Sequence, residues 1–135
     1  MSLLRAIQPE GWRRPKGYAN GILADGRILF VAGQVGWDGD EVFQSDVFHE
    51  QWDRALANVL EVVRAAGGGP ENVARMTIYV TDKRAYLDQL PEVGEAWKRH
   101  MGRNYPAMAM VQAADLVEDR ALVEIEATCV LPREG

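Results

Sequence analysis

The sequence predicts an α+β fold in which a mixed sheet is covered on one face by two helices, and three observations carry that expectation. One long stripe of apolar residues at helical spacing runs between a Gly/Asp-rich loop and a triple glycine. Short runs of strand type stand on either side of it. The last run alternates an oily side with a mixed one, as a half-covered strand does. At 135 residues the chain fits one domain, residues 1–135, and can bury an ordinary core.

Taken in order, YANGILADGRILFVAGQ at 18–34 holds two apolar runs around Asp25-Gly26, a pair favoured in tight turns because Gly tolerates positive φ, and it predicts an antiparallel hairpin. GWDGDEVFQSD then reads as a loop ending in Ser45-Asp46, either of which can cap a helix. From Val47 to Ala66, the positions Phe48, Trp52, Ala55, Leu56, Val59, Leu60 and Val63 share one helical face, and Gly67-Gly68-Gly69 stops the run. VARMTIYVTD at 73–82 reads as a buried strand reached by a crossover, which implies a parallel neighbour. A second helix is expected from Pro91 to Met101, with Pro in its first turn, Val93, Trp97 and His100 on one stripe, and Gly102 after its end. Residues 107–113 and 122–131 return to strands. In the last one Val123, Ile125, Ala127 and Cys129 form the oily side, and Glu124, Glu126 and Thr128 belong to the other. The helices cover the oily side, so the mixed side needs a partner, and self-association supplies one economically.

Composition narrows the function. Hydrophobic residues are 47% and charged residues 26%, as in ordinary globular chains. The formal net charge of -5 opposes a phosphate backbone, so no nucleic acid is expected as a partner. The single cysteine, Cys129, cannot close an internal disulfide, and no Cys/His cluster has metal-ligand spacing. MSLLRAIQPE has no apolar run of signal type and no stretch of about 18 apolar residues occurs, so neither a membrane nor secretion is expected and a cytoplasmic location is the default.

Five strings, in order, resemble the RidA/YjgF family of enamine and imine deaminases: FVAGQV at 30–35, ALANVLEVVRAAG at 55–67, VARMTIYVTD at 73–82, YPAMAMVQAADL at 105–116 and ALVEIEATCV at 121–130. The resemblance spans nearly the whole chain. It implies a chorismate-mutase-like α+β fold, a homotrimer with ligand clefts at the subunit interfaces, and hydrolysis of reactive imines or enamines to a carbonyl compound and ammonia without a cofactor. It also implies that an arginine after Pro-Ala grips the substrate carboxylate with its planar fork. That position is Met108 here. The Ser or Thr that often precedes Gly-Gln is Ala32, and the small polar or Cys position two beyond the arginine is Met110. Matching positions remain at Tyr18, Gly33 and the acid Glu124.

Each candidate has a plainer reading beside it. Met108 and Met110 share a strand face, either filling core or lining a pocket for a ligand that is less anionic at that end or is anchored elsewhere; losing the arginine removes about 1.5–3 kcal/mol of charged hydrogen bonding, about ten- to a hundredfold in affinity. Glu124 is either a surface carboxylate or, beside the methionines in one hollow, a proton carrier with Glu126 as its neighbour. Tyr18 either packs with a wet tip or orients a ligand. Trp37, in a Gly-rich loop after the first motif, either caps a ligand or packs on its own domain or a neighbouring subunit. Arg13, Arg14, Arg103 and Arg120 are solvated charges or replacement anchors. His100 is expected to meet the helix dipole and Cys129 to be inert. Two functions follow: an imine/enamine hydrolase with an altered, apolar substrate pocket, or a non-catalytic small-ligand-binding or regulatory trimer of the same fold.

Overall fold

A computed structural model describes residues 3–134. Strand β1 (Leu4–Ile7) and β2 (Gly21–Ala24) pair with each other as a two-stranded antiparallel sheet. Strands β3 (Arg27–Val35), β4 (Val73–Val80), β5 (Ala107–Gln112) and β6 (Val123–Leu131) form a second sheet in the order β3-β6-β4-β5. Helices α1 (Phe48–Ala65), α2 (Lys83–Asp88) and α3 (Leu90–Met101) accompany that sheet. No helix among the described residues is long and apolar enough to cross a membrane.

The helical stripe of α1 is the spine of the core. Phe48, Trp52, Ala55, Leu56, Val59, Leu60 and Val63 are all buried, against Val123, Ile125, Ala127 and Cys129 of β6 and Met76 and Ile78 of β4. Burying a side chain of Leu or Val size contributes about 1.5–3 kcal/mol, which no surface ion pair here can match. Gln51, also buried, is fully engaged: Nε2 donates to the carbonyls of Ser45 and Arg120, and Oε1 accepts from the Leu122 amide. The first turn of α1 is thereby tied to the start of β6. The Trp52 indole donates to the Val93 carbonyl at 3.2 Å and joins α1 to α3.

Three local expectations are corrected. The Asp25-Gly26 link does not make a hairpin: β2 pairs with β1, a strand the sequence patterns did not reveal, and β3 pairs with β6. Gly26 lies against the Leu131 carbonyl, where any side chain would collide, so the link is a tight bend between two sheets. Neither Ser45 nor Asp46 caps α1; the cap is Val47, whose own amide donates to the Ser45 hydroxyl at 3.0 Å, while Asp46 faces Arg120. The strand-helix-strand unit leaves β3 and β4 separated, because β6 inserts antiparallel between them. The parallel neighbour of β4 is β5, reached through α2 and α3. The short α2, capped by the Asp82 side chain on the Arg84 amide, adds a third helix to the two expected.

Candidate functional site

Register decides where the candidate residues point. In the parallel β4–β5 pair, Met76 stands beside Met108 and Ile78 beside Met110. Met76 and Ile78 belong to the core under the helices, so the two methionines face the helix side as well, half-buried. They are not sealed there. Together with residues of α1 and α3 they line an open cavity of about 550 Å³.

Tyr18 reaches the same cavity by a separate route. The chain before β2 runs alongside the start of β5, where the Ala19 amide donates to the Pro106 carbonyl at 3.0 Å and Ala19 bridges Ala107. That contact sets Tyr18 beside Met108 and Met110 at the wall of the cavity. Trp97 and Tyr105 stack nearly parallel, with centroids 6.3 Å apart, and form another wall. Tyr86 packs against Trp52 and the edge of Phe48 and closes a further side. Sequence patterns place Trp52 and Trp97 in the core stripe. They do not reveal that the same rings border a hollow.

Glu124 is on the opposite face. Its cross-strand partner is Tyr79, whose hydroxyl donates to Glu126 at 3.2 Å. The Glu126 charge pushes the Tyr79 phenol upward from its ordinary range. Gly33 on β3 lies under the Glu124 carboxylate, and a methyl group there would run into it. Ala32 lines a shallow hollow of about 380 Å³ on this face with Phe30, Arg75 and Glu126. Within one chain, therefore, residues 108 and 110 do not meet Glu124, and the hollow expected to hold all three between subunits is not a feature of a single chain. Alternation holds within each strand, but pairing puts the methionines of β5 and the glutamate of β6 on different sides of the sheet.

Trp37 lies with neither group. Its ring packs on Phe43 of the same loop at 5.7 Å, and its carbonyl accepts from Asn58 and Arg54. Arg120 is held by Asp46 at 3.0 Å and by the Phe43 carbonyl, over the Phe43 ring. Arg14 and Arg103 line a neighbouring cleft under the β1–β2 pair, and Arg13 lines neither cleft. The cation that does border the methionine cavity is Lys16, which sequence reading passed over. His100, in the last turn of α3, meets Asp53 of α1 rather than the helix end alone. Cys129 is buried, and burial pushes its thiol up to about 11. Among the described residues no group of three or more His, Cys, Asp or Glu side chains converges as a metal site would.

The family model described as Endoribonuclease L-PSP matches residues 13–131. The chain belongs to this family, the RidA/YjgF family. It is 31% identical to the human 2-iminobutanoate/2-iminopropanoate deaminase over 114 residues, covering 84% of this chain and 79% of the human one. The Drosophila melanogaster RutC family protein UK114 is 34% identical over 110 residues, 81% of this chain and 75% of that one. Among solved structures, the Rid family protein YyfB from Yersinia pestis superposes with a TM-score of 0.85 at 29% identity, covering 96% of this chain and 99% of its own. The E. coli TdcF structure with bound serine gives 0.66 at 28% identity, with 94% and 98% covered. Family members thus include imine deaminases, and the α+β architecture of a mixed sheet under helices is the family's own.

Proposed function

We propose that this protein is a RidA-like hydrolase of reactive imines or enamines whose substrate pocket has been made apolar, and that it works as a homotrimer. The observation that carries the reading is the meeting of Tyr18, Met108 and Met110, from distant parts of the chain, at one open cavity in a chain of a family that includes imine deaminases. Glu124 and Gly33 form the other half-site, on the opposite face. One chain cannot bring the halves together, so the sheet face of one copy must close on the cavity edge of the next. Exposed Ile28, Phe30 and Val111 support that contact, since large apolar side chains gathered on one sheet face call for a cover.

The chemistry asks for few groups. Water bonds to the imine carbon while the C=N pair moves to nitrogen, which takes a proton. The C–N bond then breaks, ammonia leaves and the carbonyl forms. Glu124 of the adjoining copy, held over Gly33, carries both protons: it takes the first from the attacking water and gives it to nitrogen, then takes the hydroxyl proton of the resulting carbinolamine and gives it to nitrogen as the C–N bond breaks. Tyr18 orients the substrate through its hydroxyl, and the Ala32-Gly33 backbone lets the substrate approach. No cofactor is needed for any of these steps. The nuclease term in the family's description is not carried over, because a net charge of -5 without a basic stripe repels a phosphate backbone.

Purified protein mixed with amino-acid-derived imines generated in situ should accelerate keto-acid and ammonia release. An intact trimer that accelerates no imine would overturn the reading. The rival, a ligand-binding or regulatory trimer without catalysis, is supported by the family resemblance, which sets Met108 at the position of the carboxylate-gripping arginine. Met108→Arg separates the two, because activity that appears only in the variant marks a competent scaffold turned to another use.

A further inference from the structure

We infer that the Met108 cavity takes a ligand with an aryl group and an anionic end, the aryl group lying between the Trp97–Tyr105 stack and the two thioethers and the anion meeting Lys16 at the wall. This rests on the reading of the cavity as the substrate half-site, and it narrows the substrate class to 2-imino acids with aryl side chains. At about 550 Å³ the cavity falls within the range of small-molecule sites, and its rings and sulfurs are the surfaces that favour another ring. A substrate with a side chain of one or two carbons would leave most of these walls against water.

A further observation points to an occupant. Gly94, in the middle of α3, lines the cavity, and a Cβ built there would touch nothing within 4 Å. Glycine inside a helix is destabilising relative to alanine, and here neither crowding nor a positive φ requires it within the chain. What its bare backbone provides is room at the cavity. Lys16 is the cation that borders the cavity. It supplies a point charge where the family's arginine would supply a fork, so the anion is held less rigidly and the ring carries more of the specificity.

Calorimetric titration of the intact protein with phenylpyruvate, pyruvate and phenylacetone tests this without turnover. Phenylpyruvate should bind at least about thirtyfold more tightly than pyruvate, a difference of about 2 kcal/mol. Gly94→Leu should weaken phenylpyruvate about tenfold or more. Gly94→Ala, which fits the helix better than the parent, should weaken it by a smaller factor and so decides the point should the leucine variant fail to fold. Lys16→Met should weaken phenylpyruvate about fivefold and leave the uncharged phenylacetone unchanged. Equal binding of pyruvate and phenylpyruvate, or full affinity in both Gly94 variants, would overturn the aryl assignment. Equal losses for acid and ketone in Lys16→Met would overturn the anion assignment. Aryl binding with no imine hydrolysis would count against the hydrolase reading alone, whereas brisk hydrolysis of small imines with no aryl preference would count against this inference alone.

Discussion

The two faces of the four-stranded sheet differ in how much of their chemistry is complete within one chain. The helix side is nearly finished: core residues are sealed under α1, and a cavity opens where α3 meets β5. On the open side stand Glu124, Glu126, Tyr79 and Arg75 among apolar residues, with Phe30 75% exposed. A cavity walled by its own rings can select a ligand unaided. A carboxylate over a glycine, with no cavity of its own, becomes a reaction partner only when something else closes on it. On the proposed function, the contrast makes binding and proton transfer separable, since each is assigned to a different face and can be removed without the other.

The largest effect should come from breaking the open face. Phe30→Asp places a charge where an apolar contact between copies is proposed, exchanging about 1.5–3 kcal/mol of burial per contact for a desolvation cost. Light scattering behind a sizing column should show monomers with an unchanged circular-dichroism spectrum, and imine hydrolysis should vanish with the assembly. Trimers that persist with full activity would show that Glu124 meets its substrate in some other way. Next in size is Glu124→Gln, which removes the proposed proton carrier and should lower turnover about 10²- to 10⁴-fold while ligand affinity at the Met108 cavity changes little. Smaller again is Gly33→Ala. Its methyl displaces the Glu124 carboxylate without removing it, so turnover should fall about tenfold to a hundredfold, with KM nearly constant.

These faces were unequally legible in the sequence. The α1 stripe and the alternation of β6 were readable because one side of each is apolar and the other is not, and every stripe residue expected in α1 is buried. The strand AMAMVQ is different: both its sides are apolar, so a period of two cannot say which side meets the helices. Only the pairing of Met108 with Met76 settles it, and that pairing links residues 32 positions apart, as 108 − 76 = 32. The bend at Gly26 was hidden for a similar reason. A two-residue link serves a hairpin or a bend equally well, and the choice fell to β1, whose LRAI lacks a strong strand signature. Lys16 and Tyr105 lie in irregular segments where spacing carries no information about direction.

The smallest predicted effect sharpens the contrast from behind the cavity. Asp53 of α1 accepts from Arg99 Nη2 at 2.8 Å and meets His100 Nε2 at 2.5 Å, joining α1 to α3. Burial works to raise its pKa, but the hydrogen bonds from Arg99 and His100 outweigh burial and hold it below the ordinary carboxylate range. A depressed folded-state value means that the unfolded chain binds the proton first, so this contribution to stability is present above the unfolded value of about 3.9 and is lost as pH falls through the folded one. Asp53 is partly exposed and screened by solvent, so the effect should be modest. Asp53→Asn should therefore lower Tm slightly at neutral pH, and its gap from the parent should close as melts are repeated at successively lower pH below about 4. Turnover at neutral pH should hold. The expected pattern is the reverse of Glu124→Gln, which should spare Tm and lower turnover: on the proposed function, a carboxylate between α1 and α3 steadies the fold, and a carboxylate on the open face moves protons. A gap that widens in acid, or an Asp53→Asn variant as inactive as Glu124→Gln, would break that division of labour between the two sides of the sheet.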